Sequence, residues 1–123
     1  MPDLPRGAIL FAPVMYSDGE SSKPRPVCVV SVPGFNAGPD VLLAMVTSST
    51  RTRQHPGIGD VVVENWETAG LWRPSVVRTG RLFALEHRHL GRRLGDLSAH
   101  DLHAVNRGFI RVLGLGLGDD VEI

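Results

Sequence analysis

Apolar residues in this chain come in short, β-branched runs that glycine or proline soon interrupts, and helical spacing sets in only near the end. That pattern restricts the fold to short strands followed by one helix. Residues 7–12 (GAILFA) read as a first strand closed by Pro13, and residues 16–24 as a polar surface loop. Residues 26–32 (PVCVVSV) and 41–47 (VLLAMVT) read as buried strands, joined by a mobile loop over 33–40. A second polar loop over 51–59 precedes a short strand at 61–63, and residues 64–70 suggest one helical turn ended by Gly70. Residues 75–77 and 81–85 read as further strands with Gly80 as the bend or bulge between them, and a weak strand is expected near 89–95. Ser98 then opens a helix. Ser98 and Asp101 have the spacing of a capping box, Leu102, Val105, Phe109 and Val112 repeat at helical intervals, and Gly114 supplies the stop. About five or six strands and a terminal helix predict a mainly β fold, a small twisted sheet or half-open barrel with the helix packed over it.

Size and charge narrow the class further. A chain of 123 residues with 42% hydrophobic content can bury roughly two-thirds of its unfolded surface, so no metal or disulfide is needed to hold a core. Residues 1–115 are expected to form a single domain, and residues 116–123, with Asp119, Asp120 and Glu122, an acidic tail. The one cysteine, Cys28, lies inside an apolar run, so it reads as a buried thiol in a reducing compartment. No apolar run approaches the ~18 residues of a membrane helix, and the opening MPDLPRG lacks the form of a signal peptide. A cytoplasmic protein that crosses no membrane is expected. Formal charge is zero, yet residues 51–111 carry ten arginines against six acids while residues 112–123 carry only acids. A basic middle and an acidic end hide in the neutral total.

Several chemistries lack their residues. The chain has no phosphate-loop sequence, no dinucleotide glycine fingerprint, no Gly-x-Ser-x-Gly and no zinc-spaced cysteine and histidine set. The close pairs His87 with His89 and His100 with His103 have no carboxylate set beside them and read as solvent-facing; no metal and no cofactor is expected. What remains is Lys23-Pro24-Arg25-Pro26, where two prolines stiffen the backbone that presents Arg25. Glu20 precedes it in the same loop, and Thr47-Ser48-Ser49-Thr50 ends the neighbouring strand with consecutive hydroxyls. A fixed cation, a carboxylate and hydroxyl donors suit a phosphodiester. The same residues also fit a surface ion pair and a strand-end cap.

With these residues the chain resembles the MazF/PemK family of toxin endoribonucleases of type II toxin–antitoxin systems, in its PemK-like branch. The likeness is carried by Gly7-x-Ile9, Gly19-Glu20, Lys23-x-Arg25-Pro26-Val27-x-Val29-Val30-Ser31, Val46-Thr47-Ser48-Ser49, Pro74-Ser75-Val76-Val77-Arg78, and residues 81–98 (RLFALE…LGRRLGDLS). It implies an SH3-like small barrel of the MazF/PemK/CcdB type with a C-terminal helix. It further implies metal-independent, sequence-selective cleavage of single-stranded RNA by 2′-hydroxyl attack, a homodimer, and neutralisation by a cognate antitoxin. By position, Arg25 and Thr47 match the family's catalytic arginine and threonine, Glu20 an acidic loop residue given a proton-transfer role in some members, and Arg78 an arginine catalytic in others. Where those members carry an aspartate two residues after that arginine and a histidine before the loop acid, this chain has Gly80 and Gly19. His55 is the alternative base.

Lys23, Ser48, Ser49, Arg51, Arg53 and Arg81 are expected to contact RNA, the arginines chiefly through salt-dependent phosphate attraction. Tyr16, Phe35, Trp66 and Trp72 are candidate stacking platforms, and the loops over 33–40 and 51–59 are expected to choose the target sequence. Two rival readings share the fold: a non-catalytic module that binds gyrase, as CcdB toxins do, and a degenerate regulator suggested by Gly80 and Gly19.

Overall fold

Successive residues of a strand point to opposite faces, and in β1 and β2 consecutive residues are buried (Ala8, Ile9 and Leu10; Val27, Cys28 and Val29), so the sheet has two apolar faces and both are covered. The computed structural model describes residues 4–15 and 22–116. Its strands are β1 (Ala8–Met15), β2 (Ser22–Val29), β3 (Asp40–Thr47), β4 (Asp60–Val62), β5 (Val76–Glu86) and β6 (Arg93–Asp96). They form one six-stranded sheet in the order β4-β5-β3-β2-β1-β6, with every neighbouring pair antiparallel. Two short helices, α1 (Pro33–Asn36) and α2 (Thr50–Gln54), follow β2 and β3, and α3 (Ala99–Leu113) closes the described chain.

One face carries Ile9, Cys28, Ala44, Val46, Val61 and Val77 against Val105 of α3. The opposite face carries Ala8, Leu10, Ala12, Val14, Val27, Val29, Val41 and Leu43 beneath Leu4, Phe83, Leu85 and Leu90. The sheet curls into a half-barrel. Its two edges approach where the turn after β4 meets β6: a Cβ on Gly95 would lie 2.6 Å from Ala69 O, and one on Gly70 would collide with Leu94 O. Gly70 has φ +82°, so glycine is required there for conformation as well as space.

The terminal helix follows the pattern read from its sequence. Ser98 Oγ accepts from Asp101 N at 3.2 Å and Gly114 ends the helix in the left-handed region. Asp101, however, does not complete a capping box. Its carboxylate accepts from Glu64 N at 3.0 Å and Asn65 N at 2.8 Å, so a charge at the helix start, 1% exposed, ties the turn after β4 to α3.

Other expectations need correction. β1 does not stop at Pro13, and β2 begins at Ser22 rather than Pro26. The partners in that extension are Pro13 with Pro24 and Phe11 with Pro26, so the missing proline N–H groups face away from the β1–β2 ladder and cost it nothing. Residues 33–40 and 51–59 are not plain loops, because each starts with a helical turn. Residues 64–70 form hydrogen-bonded turns, and residues 75–85 belong to one long strand, β5. Its register against β3 shifts where Met45 faces Arg78 and Ala44 faces Leu82, which places a bulge at Gly80.

Candidate nucleic-acid cleft

β2 and β3 pair as Val29 with Leu43, Cys28 with Ala44 and Val27 with Met45, and there the recorded ladder stops. Val30 N donates to Leu42 O, so on this strand the even-numbered N–H groups point toward β3. Pro24 and Pro26 occupy the next even positions and have no N–H to give. The strands therefore part. β3 stays with β5 as far as Thr47 opposite Val76, while β2 stays with β1 as far as Ser22 opposite Met15. Extending the β2–β3 register by two residues sets Arg25 across the opening from Thr47, on the same face.

A cleft of about 720 Å³ occupies that opening. Pro24, Arg25, Pro26, Val46, Thr47, Ser48 and Ser49 line it from the two parted strands, with Arg81 from β5. Arg73, Trp72 and Leu71 come from the turn before β5, and Phe11 and Leu94 complete the wall. Three arginines line it and no aspartate or glutamate does, among the described residues. A polyanion fits that charge. Thr47 Oγ1 accepts from Ser49 N at 3.2 Å, which leaves its own O–H proton to donate. Ser49 is also the N-cap of α2, accepting from Thr52 N, and Thr50 Oγ1 accepts from Arg53 Nη2 at 3.2 Å. The hydroxyl run thus serves the strand end and the cleft together.

The remaining residues singled out in the sequence lie elsewhere. Arg78 faces Met45 across β3, but its Nε is 3.1 Å from Asp60 Oδ1 and it does not line the cleft. Asp60, 6% exposed at its side chain, also accepts from Gly57 N at 2.9 Å. A carboxylate from β4 therefore meets the arginine in the chain that has Gly80. Lys23 and Arg51 are exposed and outside the lining, and Arg53 turns back onto Thr50. Glu20, Gly19, Tyr16 and the acidic tail from residue 117 lie outside the described residues. His55 is the exposed C-cap of α2. Arg73 is the cleft cation that pattern reading left without a role; its place between Trp72 and Pro74 was the available signal.

Two loop expectations change. The connection over 33–40 lies at the far end of β3, about 23 Å from Thr47 for eight residues at about 3.3 Å each. It does not line the cleft. His87 is not simply solvent-facing either, since its Nε2 is 2.6 Å from Asn36 O and its Nδ1 is buried with no partner. His100 Nε2 pairs with Glu64 Oε2 at 2.9 Å on the surface. Among the described residues no three His, Cys, Asp or Glu side chains are grouped to hold a metal. Burial pushes the Cys28 thiol up to about 12, so it is no nucleophile at neutral pH.

The profile of the family described as "PemK-like, MazF-like toxin of type II toxin-antitoxin system" matches residues 5–113. The chain belongs to this family. It is 35% identical over 101 residues to endoribonuclease MazF6 of Mycobacterium tuberculosis, covering 80% of this chain and 86% of that one. The same figures hold for endoribonuclease MazF2 of Mycobacterium bovis. In fold it is similar to a mycobacterial endoribonuclease solved in complex with its cognate antitoxin, at TM-score 0.74 and 20% identity over 93% of this chain and 98% of that one. A MazE–MazF structure from Deinococcus radiodurans matches at TM-score 0.71 and 19% identity, over 93% and 99%. The curled sheet with one C-terminal helix is thus the family's architecture.

Proposed function

We propose that this protein is an endoribonuclease toxin that cuts single-stranded RNA in the cleft between β2 and β3 and is neutralised by a cognate antitoxin. The observation that carries this reading is the meeting of Arg25 and Thr47, 22 positions apart in sequence, at one arginine-lined opening. The ribose 2′-hydroxyl attacks its adjacent phosphorus, the bond to the 5′-oxygen breaks, and the products are a 2′,3′-cyclic phosphate and a free 5′-hydroxyl. A guanidinium keeps its proton at any working pH, so Arg25 stabilises the added charge on the pentacoordinate phosphorus rather than acting as base. Thr47 donates its free O–H proton to a phosphate oxygen.

Glu20, in the connection between β1 and β2, takes the 2′-hydroxyl proton, a step worth about 10² to 10⁴ in rate when positioned, and the departing 5′-oxygen takes its proton from solvent water. Ser48, Ser49 and Arg81 hold the phosphates on either side of the cut. Lys23, Arg51, Arg53 and Arg78 attract flanking phosphates from outside the cleft, a contribution that falls with salt. The protein works in the cytoplasm as a homodimer and uses no metal. Mapping RNA ends after brief induction tests this reading, with Arg25→Ala as control. Cuts bearing cyclic phosphate, lost in the variant and on a substrate with 2′-deoxyribose at the cut, are expected. Continued cleavage of the deoxy substrate rejects the chemistry.

A further inference from the structure

Trp72 is the most exposed large apolar side chain among the described residues, at 73%, and it stands on the cleft wall. Its exposure is built. On one side Leu71 is buried, with its N–H donating to Trp66 O at 3.1 Å. On the other, Ser75 is buried and its hydroxyl donates to Arg73 O at 2.8 Å. The backbone is pinned at both ends of the turn, and Trp72 has to point outward. The indole is also braced. Phe11 meets it edge-on with ring centroids 5.7 Å apart and planes at 67°. Phe11 is held in turn by the Arg92 guanidinium 5.9 Å from its ring centroid, and by backbone bonds to Gly91 and Arg92. With Phe11 on one side and the residue still 73% exposed, the indole presents a π face to solvent.

The other candidate platforms are placed differently. Trp66 packs against the core under α3, and Phe35 belongs to α1 at the far end of β3.

We propose that Trp72 is the stacking platform for one unpaired base of the RNA, with Arg73 beside it holding that nucleotide's phosphate, so that the Phe11–Trp72 pair fixes the strand's register at the cut. The proposal rests on the cleft being an RNA site and adds which nucleotide-binding feature positions the strand. A rigid, pre-braced ring loses little entropy when a base settles on it, and every base offers a π face, so the subsite selects for single-strandedness more than for sequence. A base inside a duplex cannot reach it.

The test is an abasic scan along a short RNA spanning the mapped cut, run with the wild type, Trp72→Leu and Trp72→Tyr. One abasic position is expected to lower wild-type kcat/KM roughly 5- to 150-fold, the range of a single base–aromatic stack. That same position is expected to cost nothing extra in Trp72→Leu, and Trp72→Tyr restores most of the penalty. Equal abasic penalties in wild type and Trp72→Leu overturn the proposal. A binding readout separates it from the nuclease reading. In Trp66→Phe protein, Trp72 is the sole indole, and its fluorescence is expected to be quenched by a randomised single-stranded RNA. Cleavage without quenching sinks the stacking proposal alone; quenching without cleavage by the wild type sinks the nuclease reading and keeps the platform.

Discussion

The two ends of the β2–β3 pair are built on opposite principles. At the end near α1, Ser31 and Asn36 are buried and their polar groups satisfy one another. Ser31 Oγ binds Asn36 Oδ1 and accepts from Leu42 N, while Asn36 Nδ2 donates to Leu4 O at 2.7 Å and Ser31 O at 2.9 Å. His87 reaches the same helix at Asn36 O. At the end near α2, prolines withhold the donors that would close the ladder, and Arg25, Thr47, Arg73 and Arg81 stand around an open cleft. The comparison teaches that the closed end holds the strands in register while the open end supplies the cleft. Strands locked at one terminus can part at the other without losing their register.

Breaking each end should give opposite signatures. The largest effect is expected from Arg25→Ala, which should lower the cleavage rate about 10²- to 10³-fold. Arg25 is exposed, so the variant's unfolding free energy should change by no more than about 0.5 kcal/mol. Asn36→Ala should do the reverse. It leaves Leu4 O and the Ser31 groups unpaired in a buried site, so about 2–3 kcal/mol of unfolding free energy should disappear in a urea titration, with the folded fraction cutting RNA normally.

Thr47→Val keeps the shape and removes the hydroxyl, and about a tenfold loss in kcat is expected, the size of one hydrogen bond to a charged group. Cys28 lies in the closed stretch between the ends. Burial raises its thiol from 9.0 to about 12, so across that interval the unfolded chain releases a proton that the folded chain keeps. Stability should therefore fall as pH rises above 9.0, by about 1.4 kcal/mol per pH unit from this group, and Cys28→Ala should flatten that slope in denaturation curves. The smallest effect sharpens the comparison most directly. Pro26→Ala returns an N–H facing β3, and a narrower cleft with about two- to fivefold lower kcat/KM is expected, together with a new amide at residue 26 of the variant that exchanges more slowly than an open-chain amide.

Much of this molecule was legible in its sequence, and the boundary of legibility is physical. Features set by residues within a turn of one another could be read directly: the apolar, β-branched runs of β2 and β3, the Ser98 cap, the left-handed Gly114 and the bulge at Gly80. The extension of β1 and β2 through three prolines was not, because local propensity rejects proline while the pairing register tolerates it at rungs whose N–H groups face away. The helical turns at α1 and α2 were too short to show a period.

The sequence alone therefore determined that a mainly β chain with one terminal helix would form, and it singled out Arg25, Thr47 and their hydroxyl neighbours as candidates for a phosphodiester site. Tertiary structure decided which of the singled-out residues share a cleft. It turned Arg78 onto Asp60, Asp101 onto the turn after β4, and Trp72 outward onto Phe11. Each of those outcomes depends on strand register and sheet curl, which bring together residues far apart along the chain, and no periodicity within a single segment encodes that distance.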